Sequence, residues 1–297
     1  MGRELHAAFG TARLVFEEVD EALEQKLSRL MFEGPESELT LTENAQPALM
    51  AVSLAAFRVL AKDGGMSLPK AAAFVAGHSL GEYSALAAAG TFILADAARL
   101  LKARGRAMQK AVPVGDGAMA ALLGIELEKA EEIAEAAAAD EVCAVANDNA
   151  PGQVVVSGSK DAVERAVKLA EALGGVRAFM LPVSAPFHCS LMAPAAEVMA
   201  EALAKVTMEA PAVPLIANVT AAPVTDPLTI RRLLVEQVTG RVRWRECVLT
   251  MKERETDKLV EIGAGKVLSG LTRRIAREMA AVSLQTPAEV EAFLKTL

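Results

Sequence analysis

The sequence has little of what a membrane span, a disulfide framework or a nucleic-acid surface requires. Its 297 residues include three cysteines, one tryptophan and one tyrosine, and no apolar run approaches the roughly 20 residues that cross a bilayer. Cys143, Cys189 and Cys247 form no C-x-x-C pair, so we expect buried reduced thiols rather than a disulfide or a zinc site. The formal charge of −7 and the lack of a basic run with interleaved aromatics argue against nucleic-acid binding. The first residues, Met1–His6, lack the apolar centre of a signal peptide, and we expect a cytoplasmic protein without a membrane segment.

Hydrophobic residues, by contrast, make up 53% of the chain, which is enough for a large core. Helical and strand-like periodicities alternate along most of its length, and this order predicts an α/β fold. We expect residues 1–114 and 185–297 to form a large α/β-hydrolase-like subdomain with a parallel sheet. Residues 115–184 show the order β-α-β-β-α-β instead, which predicts an inserted ferredoxin-like small subdomain.

One motif carries most of the functional information, the stretch Ala76-Gly77-His78-Ser79-Leu80-Gly81-Glu82-Tyr83. Apolar residues ahead of it predict a strand over 71–76, and a helix-forming stretch follows over 80–89. In that context G-x-S-x-G holds a serine on a strained turn with its hydroxyl exposed. The serine also precedes a helix N-terminus, whose free N–H groups can face a developing oxyanion. A bare G-x-S-x-G also occurs in structural turns, but this context favours Ser79 as a nucleophile.

A nucleophilic serine needs a base, and the chain has three histidines. His6 lies in a predicted surface helix. His78 adjoins Ser79, but adjacent side chains on an extended approach point in opposite directions, which indicates a packing or turn role. His188 lies in a loop between the last predicted strand of the small subdomain and a helix, a position that suits a catalytic imidazole. By elimination, His188 is the predicted base.

No acidic residue is singled out as a third catalytic group. Asp96 and Asp226 are available, yet each is typical of a helix cap. The stretch Glu261–Lys266 has the glycines of a phosphate loop but neither its spacing nor a following serine or threonine, so it predicts a strand-to-helix turn. Three separated histidines without an H-x-x-x-H pattern predict no metal site.

Taken together, several stretches of the chain resemble the malonyl-CoA:acyl carrier protein transacylases of bacterial fatty-acid synthesis. They follow the order of that family and lie at residues 77–86, 104–109, 149–155, 186–188 and 261–268. The resemblance implies a ping-pong acyltransferase, an [acyl-carrier-protein] S-malonyltransferase, in which Ser79 accepts malonyl from malonyl-CoA. The phosphopantetheine thiol of acyl carrier protein then collects it. We expect these two partners, no cofactor and a monomer.

The resemblance also implies roles for individual residues. His188 is the base, a main-chain carbonyl at Gln237 orients it, and the backbone N–H of Leu80 is an oxyanion donor. Arg104 matches the arginine that holds the malonyl carboxylate, and its planar fork can bind a carboxylate bidentately. The predicted substrate-binding residues besides Arg104 are Gln46, Met119, Asn147, Asn149, Phe187 and His78. We expect Phe187 to crowd a 2-methyl group, a preference for malonyl worth ~1–3 kcal/mol.

One feature of the family has no counterpart here. Its members carry a strand and a Gly-Gln-Gly-Ser-Gln loop ahead of the segment that matches Met1–Glu4, and the glutamine of that loop supplies a second oxyanion N–H. We expect the natural start of the protein to lie upstream. Two other functions stay open at this point: a serine thioesterase or hydrolase, and a truncated, non-catalytic module that binds carrier protein.

Overall fold

Helices form most of the regular structure in the computed structural model, which describes residues 1–296. The helices are α1 (Arg3–Ala8), α2 (Gly10–Leu23), α3 (Leu27–Glu33), α4 (Glu36–Leu39), α5 (Thr42–Arg58), α6 (Leu68–Ala71), α7 (Gly81–Ala88), α8 (Leu94–Lys110), α9 (Leu127–Ala138), α10 (Lys160–Ala172), α11 (Ala193–Ala204), α12 (Pro227–Thr239), α13 (Trp244–Glu253), α14 (Val267–Ile275) and α15 (Pro287–Leu294). A π-helical turn at Val59–Asp63 extends α5, and a 3₁₀ turn at Ser190–Met192 precedes α11.

The strands are shorter and fall into three sheets. They are β1 (Val75–Ala76), β2 (Gly117–Leu123), β3 (Cys143–Ala150), β4 (Gln153–Ser159), β5 (Arg177–Met180), β6 (Leu215–Ile216), β7 (Pro223–Val224), β8 (Lys258–Ile262) and β9 (Ala280–Leu284). The prediction of a mixed α/β protein is therefore confirmed.

The middle of the chain forms a four-stranded antiparallel sheet in the order β3-β4-β2-β5. Helices α9 and α10 pack on each other and on this sheet. Their contact forms a hydrophobic cluster of its own, in which Leu122, Ile133, Val156 and Val163 are buried. Successive side chains of β2 and β4 point to opposite faces, so Leu122 and Val156 join this cluster while Met119 and Val155 form a second apolar cluster on the other face.

The parallel sheet expected from the first and last thirds of the chain is reduced to two separate pairings. Strand β1 pairs in parallel with β6, which pairs antiparallel with β7, and β8 pairs in parallel with β9. The strand predicted over 71–76 shrinks to Val75–Ala76, because residues 68–71 form α6 instead. Alanine fills most of that stretch and has little preference for a strand.

The main core is helical and supports the turn after β1. Helices α5 and α8 pack on each other, with α2 and α11 against them, and α7 lies between α5 and β1. Met50, Leu101 and Met108 are among its fully buried side chains. The depth of α8 in this layer also removes the charged Arg104 from solvent.

Two further expectations concern local chemistry. The cysteines all lie within residues 1–296 and are free thiols; Cys189 and Cys247 are buried as expected, but Cys143 is only half-buried. The stretch at 261–266 is a strand-to-helix turn, as predicted, between β8 and α14. The Glu261 carboxylate accepts the N–H groups of Leu268 at 3.0 Å and Ser269 at 2.7 Å. These first N–H groups of α14 are thus occupied by the chain itself.

In residues 1–296 we find no helix with the length and apolar character that a membrane crossing needs.

Candidate active site

Ser79 lies on the turn that joins β1 to α7, and its backbone is held in an unusual conformation. Its φ angle is 52°, in the left-handed region that few non-glycine residues adopt. The turn is closed tightly, since a Cβ on Gly77 would fall 1.9 Å from the carbonyl carbon of Gly81. The Ser79 N–H donates to Asn218 Oδ1 at 2.8 Å, and its carbonyl accepts Gln237 Nε2 at 2.9 Å. These bonds hold the strained serine with its hydroxyl facing the histidine.

The imidazole of His188 is the partner of that hydroxyl. Ser79 Oγ and His188 Nε2 are 2.8 Å apart, and the imidazole is buried. On the other side of the ring, Nδ1 faces two carbonyl oxygens, Gln237 O at 2.8 Å and Gly240 O at 3.1 Å. Because a carbonyl only accepts, Nδ1 must carry the proton, which leaves Nε2 free to accept the Ser79 O–H. The pair can therefore act as nucleophile and base without a carboxylate.

A buried cation completes this geometry. Arg104 is 1% exposed, and its guanidinium donates to Ser79 Oγ at 3.0 Å, Gln46 Oε1 at 2.8 Å and Gln237 Oε1 at 2.9 Å. The guanidinium also lies over the Tyr83 ring, 5.9 Å from its centroid. Burial lowers the pKa of Arg104, but a guanidinium stays protonated in proteins. A positive charge beside Oγ favours the developing alkoxide and can attract an anionic substrate group.

Two residues that sequence reasoning missed tie these groups together. Glu82 and Asn218 are 1% and 0% exposed, and the Glu82 carboxylate accepts the Asn218 N–H at 2.6 Å and a hydrogen bond from Gln237 Nε2. Burial raises the pKa of Glu82 to about 8, while its hydrogen bonds and the nearby Arg104 charge act in the opposite direction. The one available signal was the position of Glu82 three residues after Ser79, on the inner face of α7.

The remaining predicted binding residues fall into three groups around this centre. Gln46, on α5, contacts the guanidinium of Arg104. His78 Nε2 lies 2.8 Å from Asn149 Oδ1, and its ring centroid is 5.7 Å from that of Trp244. Asn147 lies buried on β3 of the four-stranded sheet. Met119, on β2 of that sheet, shares a small apolar cluster with Phe187. Phe187 directly precedes His188 in the chain.

Three residues weighed for catalysis serve other purposes. The prediction that Asp96 caps a helix is wrong, because the N-cap of α8 is Ile93, and Asp96 lies inside the first turn, where it pairs with Arg99 at 3.3 Å. Asp226 does cap α12, accepting the Thr229 N–H at 2.7 Å. His6 packs against aromatic rings near the N-terminus. Within residues 1–296, none of the three forms a hydrogen bond with Ser79.

The burial of His188 predicts a pH-dependent stability. Burial, reinforced by the Arg104 charge, lowers the pKa of His188 from 6.5 to about 3. The unfolded chain thus binds a proton that the folded chain excludes, and the contribution of this group is fully present above pH 6.5 and is lost as the pH falls towards 3. We expect the unfolding free energy to fall by up to roughly 1.4 kcal/mol per pH unit from this group in that window. Urea unfolding of the parent and His188→Gln at pH 7, 6, 5 and 4 measures it. Parallel curves for the two proteins would show that the imidazole titrates normally.

Comparison with known proteins agrees with this geometry. Residues 1–291 match the family model described as the acyl transferase domain. The chain is 44% identical over 292 residues to the malonyl CoA-acyl carrier protein transacylase of Escherichia coli (strain K12), covering 98% of this chain and 93% of that protein. Among solved structures, the acyl-carrier-protein S-malonyltransferase of Bartonella henselae superposes with a TM-score of 0.96 at 56% identity, covering 100% and 94% of the two chains. A type II polyketide malonyl-transacylase, solved in complex with its acyl-carrier protein, gives 0.96 at 39% identity, covering 100% and 95%.

Acyl transfer is the chemistry common to these matches, and the chain is an acyltransferase. The relatives narrow that class. The chain belongs to the malonyl CoA-acyl carrier protein transacylase family, as the sequence resemblance predicted.

Proposed function

We propose that the protein transfers a malonyl group from malonyl-CoA to the phosphopantetheine thiol of acyl carrier protein, through an ester on Ser79. The observation that carries this proposal is the buried guanidinium of Arg104, 3.0 Å from Ser79 Oγ. A neutral acyl group has no charge that could pair with a cation at that point, whereas a malonyl group ends in a carboxylate. Arg104 Nε, buried and without an acceptor among residues 1–296, is a further donor for it.

The reaction runs in two halves at one oxygen atom. Ser79 Oγ attacks the thioester carbonyl of malonyl-CoA while His188 Nε2 takes the hydroxyl proton. The tetrahedral intermediate then collapses to the malonyl-serine ester, and the proton passes from His188 to the leaving CoA sulfur. In the second half, His188 takes the proton of the phosphopantetheine thiol, whose sulfur attacks the ester, and returns it to Oγ.

The negative charge of each tetrahedral intermediate needs donors. The backbone N–H of Leu80 follows the nucleophile directly at the start of α7, and it takes part in no hydrogen bond among residues 1–296. An unoccupied N–H at a helix start is suited to an oxyanion, and the loss of one such donor can cost ~10²–10³ in rate. We assign Leu80 N–H this role.

The substrate pocket extends from Arg104 to the four-stranded sheet. We assign Gln46 to the same end of the pocket as Arg104, and the His78–Asn149 pair, with Asn147, to the pantetheine arm that carries either thioester. We assign Phe187 and Met119, which belong to one apolar cluster, to the acyl end of the pocket. Their bulk favours malonyl over a 2-methyl analogue, a discrimination of ~1–3 kcal/mol for one methyl group.

The relatives support acyl carrier protein as the second substrate, because the related polyketide malonyl-transacylase was solved with its acyl-carrier protein bound. The product would feed the synthesis of fatty acids, the pathway of the family that the sequence resembles. The mechanism needs no cofactor. A cytoplasmic location and a monomeric state stay predictions.

The division of the chain into two subdomains is also part of the proposal. Residues 115–184 would be the ferredoxin-like insertion, and residues 1–114 with 185–297 the large α/β-hydrolase-like part. Two observations support it: the sheet order β3-β4-β2-β5 with two helices on one face, and a hydrophobic cluster distinct from the main core. Ser79, His188 and Arg104 then belong to the large part, and Asn147 and Asn149 to the insertion.

Replacement of Arg104 tests the proposed substrate. For Arg104→Met we expect kcat/KM for acylation by malonyl-CoA to fall roughly 10²- to 10³-fold, the scale on which a buried charge pair is lost. Acylation by acetyl-CoA, which offers no carboxylate, should fall far less. Arg104→Lys should recover only part of the loss, because an ammonium cannot form the bidentate contact. Intact-mass kinetics of the parent and the two variants with both thioesters measures all six rates.

The matched control is Arg106→Met, which removes an arginine two residues away that is exposed and pairs with Glu43 at 2.8 Å. An equal loss with malonyl-CoA and acetyl-CoA in Arg104→Met would contradict the carboxylate role. Adding phosphopantetheinylated carrier protein to the malonyl-enzyme separates the transferase from a thioesterase. The proposal expects malonyl on the carrier, and release of free malonate at the same rate would favour the hydrolase.

A further inference from the structure

A buried carboxylate that the mechanism does not use lies next to the turn at residues 77–81 that carries Ser79, which we call the elbow. Glu82, on the inner face of α7, is 1% exposed. One of its oxygens accepts the backbone N–H of Asn218 at 2.6 Å, and the other accepts Gln237 Nε2. Asn218 follows β6, and Gln237 lies in α12. The carboxylate therefore joins three elements that are remote in sequence.

Asn218 connects Glu82 to the elbow, because its side chain forms hydrogen bonds with the backbone of that turn. Its Oδ1 accepts the Ser79 N–H at 2.8 Å, and its Nδ2 donates to Gly77 O at 2.8 Å. One amide thus holds the chain on both sides of the turn. Because Ser79 has a φ of 52°, which costs energy unless the surroundings impose it, this brace opposes relaxation of the turn.

Gln237 connects Glu82 to the other two functional groups, Arg104 and His188. Its Oε1 accepts Arg104 Nη2 at 2.9 Å, its Nε2 donates to Ser79 O at 2.9 Å, and its backbone carbonyl accepts His188 Nδ1 at 2.8 Å. Glu82 is one of two acceptors, with Ser79 O, that face Nε2 and so set the orientation of the Gln237 amide. With an acceptor on one side and the Arg104 donor on the other, only one amide rotamer satisfies both.

We propose that Glu82 is a positioning residue for acyl transfer: through Asn218 and Gln237 its carboxylate holds Ser79, His188 and Arg104 in reactive alignment. We call Glu82, Asn218 and Gln237 the Glu82 network. Glu82 forms no hydrogen bond with Ser79 Oγ, His188 or Arg104 within residues 1–296, so its action is indirect. The part of the proposal that concerns Arg104 rests on the proposed function, and the part that concerns Ser79 and His188 does not.

The chemistry of the site explains why a carboxylate is needed. Both Glu82 oxygens face N–H donors, so an amide in its place would turn its own NH₂ group towards one of them. That leaves two donors facing each other in a buried place, which costs more than the loss of a hydrogen bond alone. The geometry, two N–H groups aimed at the two oxygens, is that of an ionised carboxyl, and these donors and the Arg104 charge favour that form. Burial outweighs them and raises the pKa of Glu82 to about 8.

The test uses Ser79 reactivity rather than malonyl transfer as its main readout. A fluorophosphonate probe modifies an activated serine whatever its natural substrate. For Glu82→Gln we expect the rate of probe labelling to fall roughly 10- to 100-fold, the effect of losing a hydrogen bond to a charged group at the site. Near-ultraviolet circular dichroism and thermal unfolding establish that the variant is folded. A folded Glu82→Gln that is labelled within threefold of the parent rate overturns the proposal.

A swap of the two side chains distinguishes positioning from general stability. In Glu82→Gln with Gln237→Glu, the amide and carboxylate exchange places, so one donor and one acceptor face each other again and Arg104 keeps an acceptor. We expect this double variant to be labelled faster than Glu82→Gln, although it loses the bond to Ser79 O. A double variant as slow as the single one overturns the proposal. Glu82→Asp, which keeps the charge on a shorter side chain, replaces Glu82→Gln in the comparison if the latter does not fold.

Glu261→Gln is the matched control. Its carboxylate also accepts two N–H groups, those of Leu268 and Ser269, but it joins no functional side chain. We expect a loss of stability comparable to that of Glu82→Gln, with the labelling rate unchanged. Equal losses of labelling in both variants would mean that stability alone governs the rate. If the parent is labelled by the probe but takes no malonyl group, the proposed function fails while the comparison of Glu82 variants remains valid.

Discussion

Replacing Ser79 with alanine is expected to abolish the covalent malonyl adduct and to slow transfer to carrier protein by roughly 10⁴-fold or more. The whole ping-pong route passes through Ser79 Oγ, and among residues 1–296 no other hydroxyl accepts from Arg104 and faces His188 Nε2. What remains would be direct attack of a bound thiol in an unaltered pocket. The measurement is intact mass after a brief incubation with malonyl-CoA and an acid quench, followed by transfer kinetics.

Ser84→Ala provides the control for this change. Ser84 lies in the same helix, α7, and is half-buried, but it takes part in none of the side-chain hydrogen bonds of the site. We expect it to form the adduct at the parent rate. An adduct of malonyl mass on Ser79→Ala would place the nucleophile elsewhere and remove the basis for the mechanism. Absence of the adduct in the parent as well would favour the binding module over the enzyme.

Ser79 and His188 could be predicted from the sequence, because Ser79 lies in a local motif and the chain has few histidines. A glycine at 77 is a direct demand of the turn, where a Cβ would meet the backbone of Gly81 at 1.9 Å. His188 was nominated by elimination in a chain with three histidines, and the structure sets it 2.8 Å from Ser79 Oγ. The small number of histidines therefore contributed as much to the prediction of His188 as any motif.

The Glu82 network could not be predicted in the same way. Glu82 is separated by 136 residues from Asn218 and by 155 from Gln237, and neither partner lies in a recognisable motif. In the sequence, Glu82 appears as an ordinary acidic residue in the first turn of a helix, where the helix dipole alone would justify it. Only the fold, by placing α12 and the end of β6 beneath α7, makes it a buried acceptor for two other elements.

The errors of fold prediction have local causes as well. The alanines at 71–73 are compatible with helix and strand. In the structure Ala71 ends α6, residues 72–74 form no regular element, and only Val75 and Ala76 pair as a strand. Asp96 is of a residue type that often caps helices, yet α8 begins after Ile93, which has no capping side chain. Residue type alone is therefore a weak guide to the position of a helix start.

Replacing His188 with alanine has the second of the two largest expected effects. We expect acylation of Ser79 by malonyl-CoA to slow by roughly 10⁴-fold or more, since the serine then has no group to receive its proton. The variant should also acquire a new pH dependence. Without a base, the reactive species is the alkoxide formed by loss of a proton to solvent, so the rate should rise about tenfold per pH unit. Single-turnover acylation from pH 6 to 9, followed by intact mass, measures both effects.

The parent should show no histidine inflection near pH 6.5 in the same experiment. Burial and the Arg104 charge lower the pKa of His188 to about 3, so the imidazole stays neutral and Nε2 stays an acceptor throughout that range. His6→Gln is the control, because His6 packs against Phe16 and Phe32 far along the chain from the elbow. A His188→Ala variant within tenfold of the parent rate would mean that another group accepts the proton. With Nδ1 held by the carbonyls of Gln237 and Gly240, the geometry offers the hydroxyl a single acceptor nitrogen, and the base is therefore expected to be His188 alone.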